Sequence, residues 1–336
     1  MKRVLILHTG GTLGMSGRRP APLQPDTYTQ EILTRVPELG ELAEVETRIL
    51  CNLDSSDLGP DEWAALTDEI AGARATHDGI VIIHGTDTMA YTASALSFAL
   101  GGLDRPVVLT GSQRPLGEIR TDARRNLVDA VDLATRALPE VGIAFDGRLY
   151  RGNRATKGDA WSYAAFASPG CPPLARLGLD VEIGATLRTP REPFAADGRF
   201  DARVAVCHVL PGMEPGLLAR LVGDSRADDS IRGVVLAAFG VGNVPARTRA
   251  VAAEVRRLVD AGVTVLVVTQ ARAGAVDLGL YANGAGLAEA GAISGGDLGL
   301  EAAVTKLMHA LALWPGDAAE RRAYLLRDVA GERLPG

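Results

Sequence analysis

Two α/β domains, the first a larger, mostly parallel sheet flanked by helices and the second smaller, are what this sequence predicts. Three observations carry the prediction. The chain has 336 residues, more than one hydrophobic core comfortably serves. Short apolar, β-rich runs alternate with helix-length segments, the rhythm of βαβ units with helices on both faces of a parallel sheet. That rhythm lapses in one Pro- and Gly-rich stretch and then restarts.

The elements follow in order. VLIL (4–7) and EVETRIL (44–50) read as strands, and DEWAALTDEIAGARA (61–75) as a helix entered through Pro60 and Asp61. GIVIIHG (79–85) is apolar without alternation, as a strand buried on both faces must be. The helix MAYTASALSFAL (89–100), the strand PVVLTGS (106–112) and the helix TDARRNLVDAVDLATRAL (121–138) come next. VGIAFDGRLYRG (141–152) reads as a strand turning into another. The pattern weakens over 168–200, where SPGCPPLARLG and TPREPFAADGRFD are rich in Pro and Gly. It resumes with strands in RVAVCHVLPG, GVVLAAFGVG and VTVLVVTQ, and helices near 214–222, over 246–260 and over 299–313. The expected division is a first domain over 1–185, a linker over 186–202 and a second domain over 203–336. Residues beyond about 328 read as an exposed tail.

Composition narrows the function. The formal net charge is −6 with no basic run, which argues against nucleic acid and anionic membrane as partners. No apolar stretch approaches the ~18–20 residues of a spanning helix. The chain enters a strand at once with no signal-like segment, and a cytoplasmic protein is expected. Cys51, Cys171 and Cys207 are odd in number and widely spaced, as suits free thiols rather than a disulfide framework. His8, His84 and His208 lack metal-ligand spacing and read as core histidines; no metal is expected. Arg114 and Arg120 are expected to pair with nearby carboxylates.

The chemical signal is a recurrence. Three strand ends carry glycine turns with hydroxyls: HTGGT (8–12), HGTDT (84–88) and TGSQR (110–114). In a doubly wound sheet such C-terminal edges converge on one crevice, which would gather Thr12, Thr86, Asp87 and Ser112 with many free backbone N–H groups. A single TGGT is ordinary glycine punctuation. It is not GxGxxG, and no GxxxxGK[ST] exists, so a nucleotide phosphate is a poor fit. A hydroxyl nucleophile fits better. It needs a base or buried cation to activate it, and N–H donors around the reacting carbonyl. Asp87 can hold an amine. DSSD (54–57), with Asp54, Ser55 and Ser56, is by itself a cap and turn, yet placed at the same edge it can receive a carboxylate. Lys157, in LYRGNRATKGDAW (149–161), is usually a solvated charge; buried beside Thr86 and Asp87 it acts on a hydroxyl as base or shuttle. The set suits a small zwitterion.

With HTGGTLGM (8–15), LDSSDLGPDEW (53–63), VIIHGTDTMAYTASALSFAL (81–100), VVLTGSQRP (107–115), LYRGNRATKGDA (149–160), AFGVGNVP (238–245) and VVTQARAGAVDLGLY (267–281), the chain resembles the bacterial-type L-asparaginase family, in its cytoplasmic, type I-like branch. TGGT, HGTDT and RATK in order make the resemblance specific, and it runs over nearly the whole chain. It implies a two-domain α/β amidohydrolase that converts L-asparagine to L-aspartate and ammonia without a cofactor, working as a homodimer or dimer of dimers. It implies Thr12 as acyl-accepting nucleophile and Thr86, Asp87 and Lys157 as a Thr-Asp-Lys set. Ser55 and Ser56, with Asp54 beside them, match residues holding the substrate α-carboxylate; Asp87 matches the α-amino contact. Ser112 matches a position whose backbone lies near the side-chain amide.

The sequence departs from that family in three places. The loop after TGGT reads RRPAPLQPDTY, so Ala21 or Pro22 stands where a tyrosine is often found, and Tyr28 is the nearby candidate activator. Ala271 and Ala237 occupy positions that carry Cys and Arg in allosteric members. The neighbouring-chain acid of the periplasmic branch has no match. A glutaminase, a dual asparaginase–glutaminase, a tRNA-amidotransferase subunit and a catalytically silent amino-acid sensor are the competing readings.

Overall fold

The computed structural model describes residues 1–14, 32–185, 187–190, 192–214, 216–223, 230–245 and 250–334. The chain divides into two compact units, Met1–Gly198 and Arg199–Gly336. Tyr28, Ala21 and Pro22 lie outside the described residues.

The first unit is built on one sheet of eight strands: β1 (Arg3–Gly10), β2 (Glu44–Leu53), β3 (Gly79–Ile83), β4 (Val107–Thr110), β5 (Val141–Phe145), β6 (Arg148–Arg151), β7 (Ala175–Leu177) and β8 (Val181–Ile183). Their order is β8-β7-β6-β5-β4-β3-β1-β2. The five strands from β2 to β5 pair in parallel, and β6, β7 and β8 add antiparallel. Three helices connect the parallel strands: α1 (Pro60–Ala73), α2 (Met89–Ala99) and α3 (Ala123–Ala134).

The helices cover both faces, which is why the central strands are apolar throughout. Val4 and Ile6 of β1 pack with Leu127, Ala130 and Val131 of α3. Leu5 and Leu7 point the other way, onto Leu66 and Ile70 of α1 and Ala93 and Leu96 of α2, as the two-residue period of a strand requires. Between β5 and β6 the chain turns at Asp146 (φ 48°) and Gly147 (φ 68°). Two consecutive positive φ values are what a tight Asp-Gly hairpin demands.

The second unit has a four-stranded parallel sheet in sequential order: β9 (Val204–His208), β10 (Gly233–Ala238), β11 (Thr264–Thr269) and β12 (Ile293–Ser294). Its helices are α4 (Leu217–Val222), α5 (Ala250–Asp260), α6 (Ala282–Glu289), α7 (Leu300–Leu313) and α8 (Ala318–Leu326). No helix among the described residues is long and apolar enough to cross a membrane.

Three expectations are corrected. Residues 168–200 are not merely irregular, since β7 and β8 extend the sheet there. The described residues beyond 328 are not an exposed tail. Glu332 is fully buried and paired with the equally buried Lys306 of α7 at 2.5 Å. Lys306 also donates to the carbonyls of Leu325 and Arg327, and Glu332 accepts the N–H groups of Val329 and Ala330. That carboxylate sits in a site where burial pushes its pKa up, but the Lys306 charge and these donors hold it below the ordinary range. Arg114 does pair with Glu118 at 3.2 Å, whereas Arg120 has no carboxylate partner among the described residues; its carbonyl accepts from the Tyr163 hydroxyl.

Candidate active site

Because β1 to β5 are parallel, β1, β2, β3 and β4 all end at the same edge of the sheet, and the loops that follow carry the candidate residues. Glycines let those loops touch. Gly11 has φ +87°, and a Cβ built on it would lie 2.5 Å from the Gly85 nitrogen. A Cβ on Gly85 would meet the Ser55 side chain at 2.7 Å, and one on Gly111 the His84 carbonyl at 2.3 Å. Backbone therefore packs on backbone from TGGT to HGTD and from TGSQ to the same HGTD turn, and the Ser55 side chain of DSSD packs on Gly85. Thr9 adds a hydrogen bond from its hydroxyl to the Ile83 carbonyl at 3.0 Å.

Lys157 completes the cluster. It follows the short helical turn Gly152–Arg154 and pairs through a two-residue ladder, Thr156–Lys157 with Phe166–Ala167. Its Nζ donates to Thr86 Oγ1 at 2.8 Å and to Asp87 Oδ1 at 2.6 Å. The lysine side chain is 17% exposed and the aspartate 71%, so the cation is held inside while a carboxylate edge faces outward. Thr12 begins the turn Thr12–Gly14, half-buried, directly after the Gly11 contact.

The other candidates are placed unevenly. Asp54 caps the turn Ser55–Asp57, accepting from Ser56 N at 2.9 Å and from Ser56 Oγ at 2.7 Å; this holds its pKa below the ordinary carboxylate range. Ser55 is buried under Gly85, and its carbonyl accepts from Thr88 Oγ1 at 2.5 Å. Ser112 is buried and spends its hydroxyl on the Arg114 carbonyl at 2.6 Å.

Sequence reasoning passed over three supporting side chains, Gln113, Asp122 and Asn126, and read a fourth, His84, only as a core histidine. Gln113 accepts from Thr86 Oγ1 at 3.3 Å and donates to the carbonyls of Ala160 and Ser162, each at 3.1 Å. Asp122 accepts the N–H groups of Gln113 and Arg114. Asn126 donates to the Gly111 carbonyl at 3.0 Å. His84 runs a buried relay: its Nδ1 meets the Gly85 carbonyl at 2.7 Å, its Nε2 meets Thr92 Oγ1 at 2.8 Å, and Thr92 accepts from the Trp63 indole at 3.1 Å. A carbonyl only accepts, so the proton belongs on Nδ1 and the Thr92 hydroxyl donates to Nε2. Burial lowers the His84 pKa to about 4, which keeps the ring neutral in this relay. Pinning the Gly85 carbonyl also fixes the plane that carries the Thr86 N–H. Gln113 lay inside the TGSQR motif and His84 inside HGTDT; the other partners become visible only when distant segments meet.

Among the described residues no group of three or more His, Cys, Asp or Glu is arranged to hold a metal. Cys51 is half-buried and donates to the Thr9 carbonyl at 3.3 Å. Chemically, the arrangement combines a hydroxyl on a glycine turn with a second hydroxyl gripped by an ammonium, on turns whose glycines bring backbone close to the site. Those are the parts of covalent acyl transfer.

Residues 3–188 match the family model described as Asparaginase, N-terminal, and residues 203–325 the one described as Glutaminase/Asparaginase C-terminal domain. The chain is 36% identical over 344 residues to L-asparaginase 1 of Escherichia coli K12, covering 99% of this chain and 98% of that protein. It is 37% identical over 334 residues to the L-asparaginase of Thermococcus kodakarensis, covering 98% of each. Its structure matches that of L-asparaginase I from Vibrio cholerae with a TM-score of 0.90 and 34% identity, over 99% of each chain.

Proposed function

This chain belongs to the asparaginase family, and on that premise we propose that it hydrolyses L-asparagine to L-aspartate and ammonia through an ester on Thr12. The observation that carries the reading is the Lys157 ammonium, held between Thr86 Oγ1 at 2.8 Å and Asp87 Oδ1 at 2.6 Å beside the turn that presents Thr12. A cation only 17% exposed that grips a hydroxyl is placed to move a proton to and from it.

The reaction follows from those parts. Thr12 Oγ attacks the side-chain amide carbon, and its proton passes to the Thr86–Lys157 pair. Backbone N–H groups of the TGGT and HGTD turns stabilise the oxyanion, a contribution of about 3–4 kcal/mol per donor in such sites. The carbon–nitrogen bond breaks as the proton is returned to nitrogen, and ammonia leaves. Water then attacks the ester carbon, freeing Thr12 and L-aspartate. Asp87 takes the substrate α-amino group, and Ser55, Ser56 and Asp54 bind the α-carboxylate end through the turn they form. Ser112 contributes its backbone, since its hydroxyl is engaged. Tyr28 remains the candidate loop activator. The sequence resemblance supports a cytoplasmic homodimer or dimer of dimers as the working form.

L-Glutamine is the second substrate to weigh, because the C-terminal family model is named for both amides. One extra methylene changes discrimination by only about 1–3 kcal/mol. The test is ammonia release from purified protein with each amino acid. A higher kcat/KM for L-asparagine is expected. Release from L-glutamine alone would replace the reading with a glutaminase, and binding of L-asparagine without release from either would replace it with a sensor.

A further inference from the structure

Gln113 has a place in this site that the reaction scheme above does not use. Its amide is oriented by its surroundings. Nε2 faces the carbonyls of Ala160 and Ser162 at 3.1 Å each, and both can only accept. The two amide protons are committed there, so Oε1 is the atom turned to Thr86. Thr86 has one proton, and Oε1 can take it. The Thr86 oxygen then meets Lys157 Nζ as an acceptor, at 2.8 Å. The direction of both bonds follows from the carbonyls of Ala160 and Ser162.

We infer that Gln113 is a positioning residue that sets the direction of the Thr86–Lys157 hydrogen bond, so that Thr86 presents its oxygen, and not its proton, to Lys157 Nζ. The Thr86-to-Gln113 distance of 3.3 Å is long for a hydroxyl bond, whose usual range ends near ~3.0 Å. It directs the hydroxyl but releases it readily. In the neutral form of Lys157 the Thr86 proton must turn from Oε1 to the Nζ lone pair, so forming the base gives up the Gln113 bond. Among the described residues the charged group in contact with Nζ is Asp87; Asp159, two residues on in the sequence, has its carboxylate engaged by the N–H groups of Trp161 and Ser162 at 2.7 and 2.9 Å. Neither changes with Gln113.

This inference rests on the reading of Lys157 as the proton carrier, but its test does not require turnover. The probe is the charge state of Lys157 itself, followed by NMR titration of the lysine Cε resonances in the full-length protein, with the signal assigned by its loss in Lys157→Arg. In Gln113→Met, which keeps length and loses the acceptor, the Lys157 signal should move to a lower pH than in the wild type, since forming the neutral amine no longer gives up a hydrogen bond. In Gln113→Glu, whose protonated carboxyl can donate to one of those carbonyls and still accept from Thr86, the signal should lie nearer the wild-type position than in Gln113→Met. The limb of the kcat/KM profile that depends on Lys157 should move with each. An unchanged titration in both variants overturns the inference and leaves Gln113 as a spacer between loops. An equal shift in both overturns it as well. Should the wild type hydrolyse no amide while the titrations move as stated, the functional reading fails and this one stands.

Discussion

Gly11 and Gly85 lie so close that any side chain on the first would enter the backbone of the second: a Cβ on Gly11 would sit 2.5 Å from Gly85 N and 2.6 Å from its Cα. The contact is what brings the turn presenting Thr12 against the turn presenting Thr86. Gly11→Ala is expected to abolish most turnover and to cost about 2–4 kcal/mol of stability, combining strain and overpacking. Gly262→Ala is the control, since it has the same φ of +87° but nothing within 4 Å; it should cost only ~1 kcal/mol. Equal losses by denaturant unfolding would show that the close approach does not matter.

Lys157→Met removes the cation between Thr86 and Asp87. The expected result is a 10²–10⁴-fold lower kcat, the usual scale for a lost proton-transfer group, with KM changed less than about threefold. A rise in KM at constant kcat would make Lys157 a substrate-binding residue instead.

Acid should destabilise this protein through two histidines. Burial lowers the pKa of His84 to about 4 from 6.5, and that of His8 likewise, against the opposing pull of a hydrogen bond with Asn52. Between those values the unfolded chain binds protons that the folded chain does not, so stability falls as pH drops below 6.5 and stops falling from this cause near 4. Each ring contributes roughly 3 kcal/mol over that window. Unfolding free energies measured from pH 7 to 4 should show this slope, and His84→Asn should remove about half of it.

The C-terminal segment is part of the core of its unit. Glu332→Gln or Lys306→Met leaves a buried charge or donor unmatched and should cost about 3–5 kcal/mol. The double variant Lys306→Met/Glu332→Leu should recover much of that. Thermal melting that is unmoved by either single change would contradict the buried pair.

What could be read in the sequence follows physical scale. The central strands were legible because burial on both faces forces an uninterrupted apolar run, as in GIVII and VVLT. The Asp146–Gly147 hairpin was legible because only such residues accept two positive φ values. β7 and β8 were not, because they are three residues long, with Glu182 and Ile183 exposed at the sheet edge. Glu332 read as tail because its partner lies 26 positions away. In the site, hydroxyls and carboxylates on glycine turns announced the chemistry. The direction of a proton did not, since it depends on Gln113 meeting carbonyls 47 and 49 positions further on.

The most direct test of the central claim is ammonia release from L-asparagine by the wild type and by Thr12→Ala, each shown to be folded by its melting transition. The account predicts release by the wild type and none above background from the variant, with the two proteins equally stable. Release by a folded Thr12→Ala at the wild-type rate would contradict it and move the nucleophile elsewhere in the site.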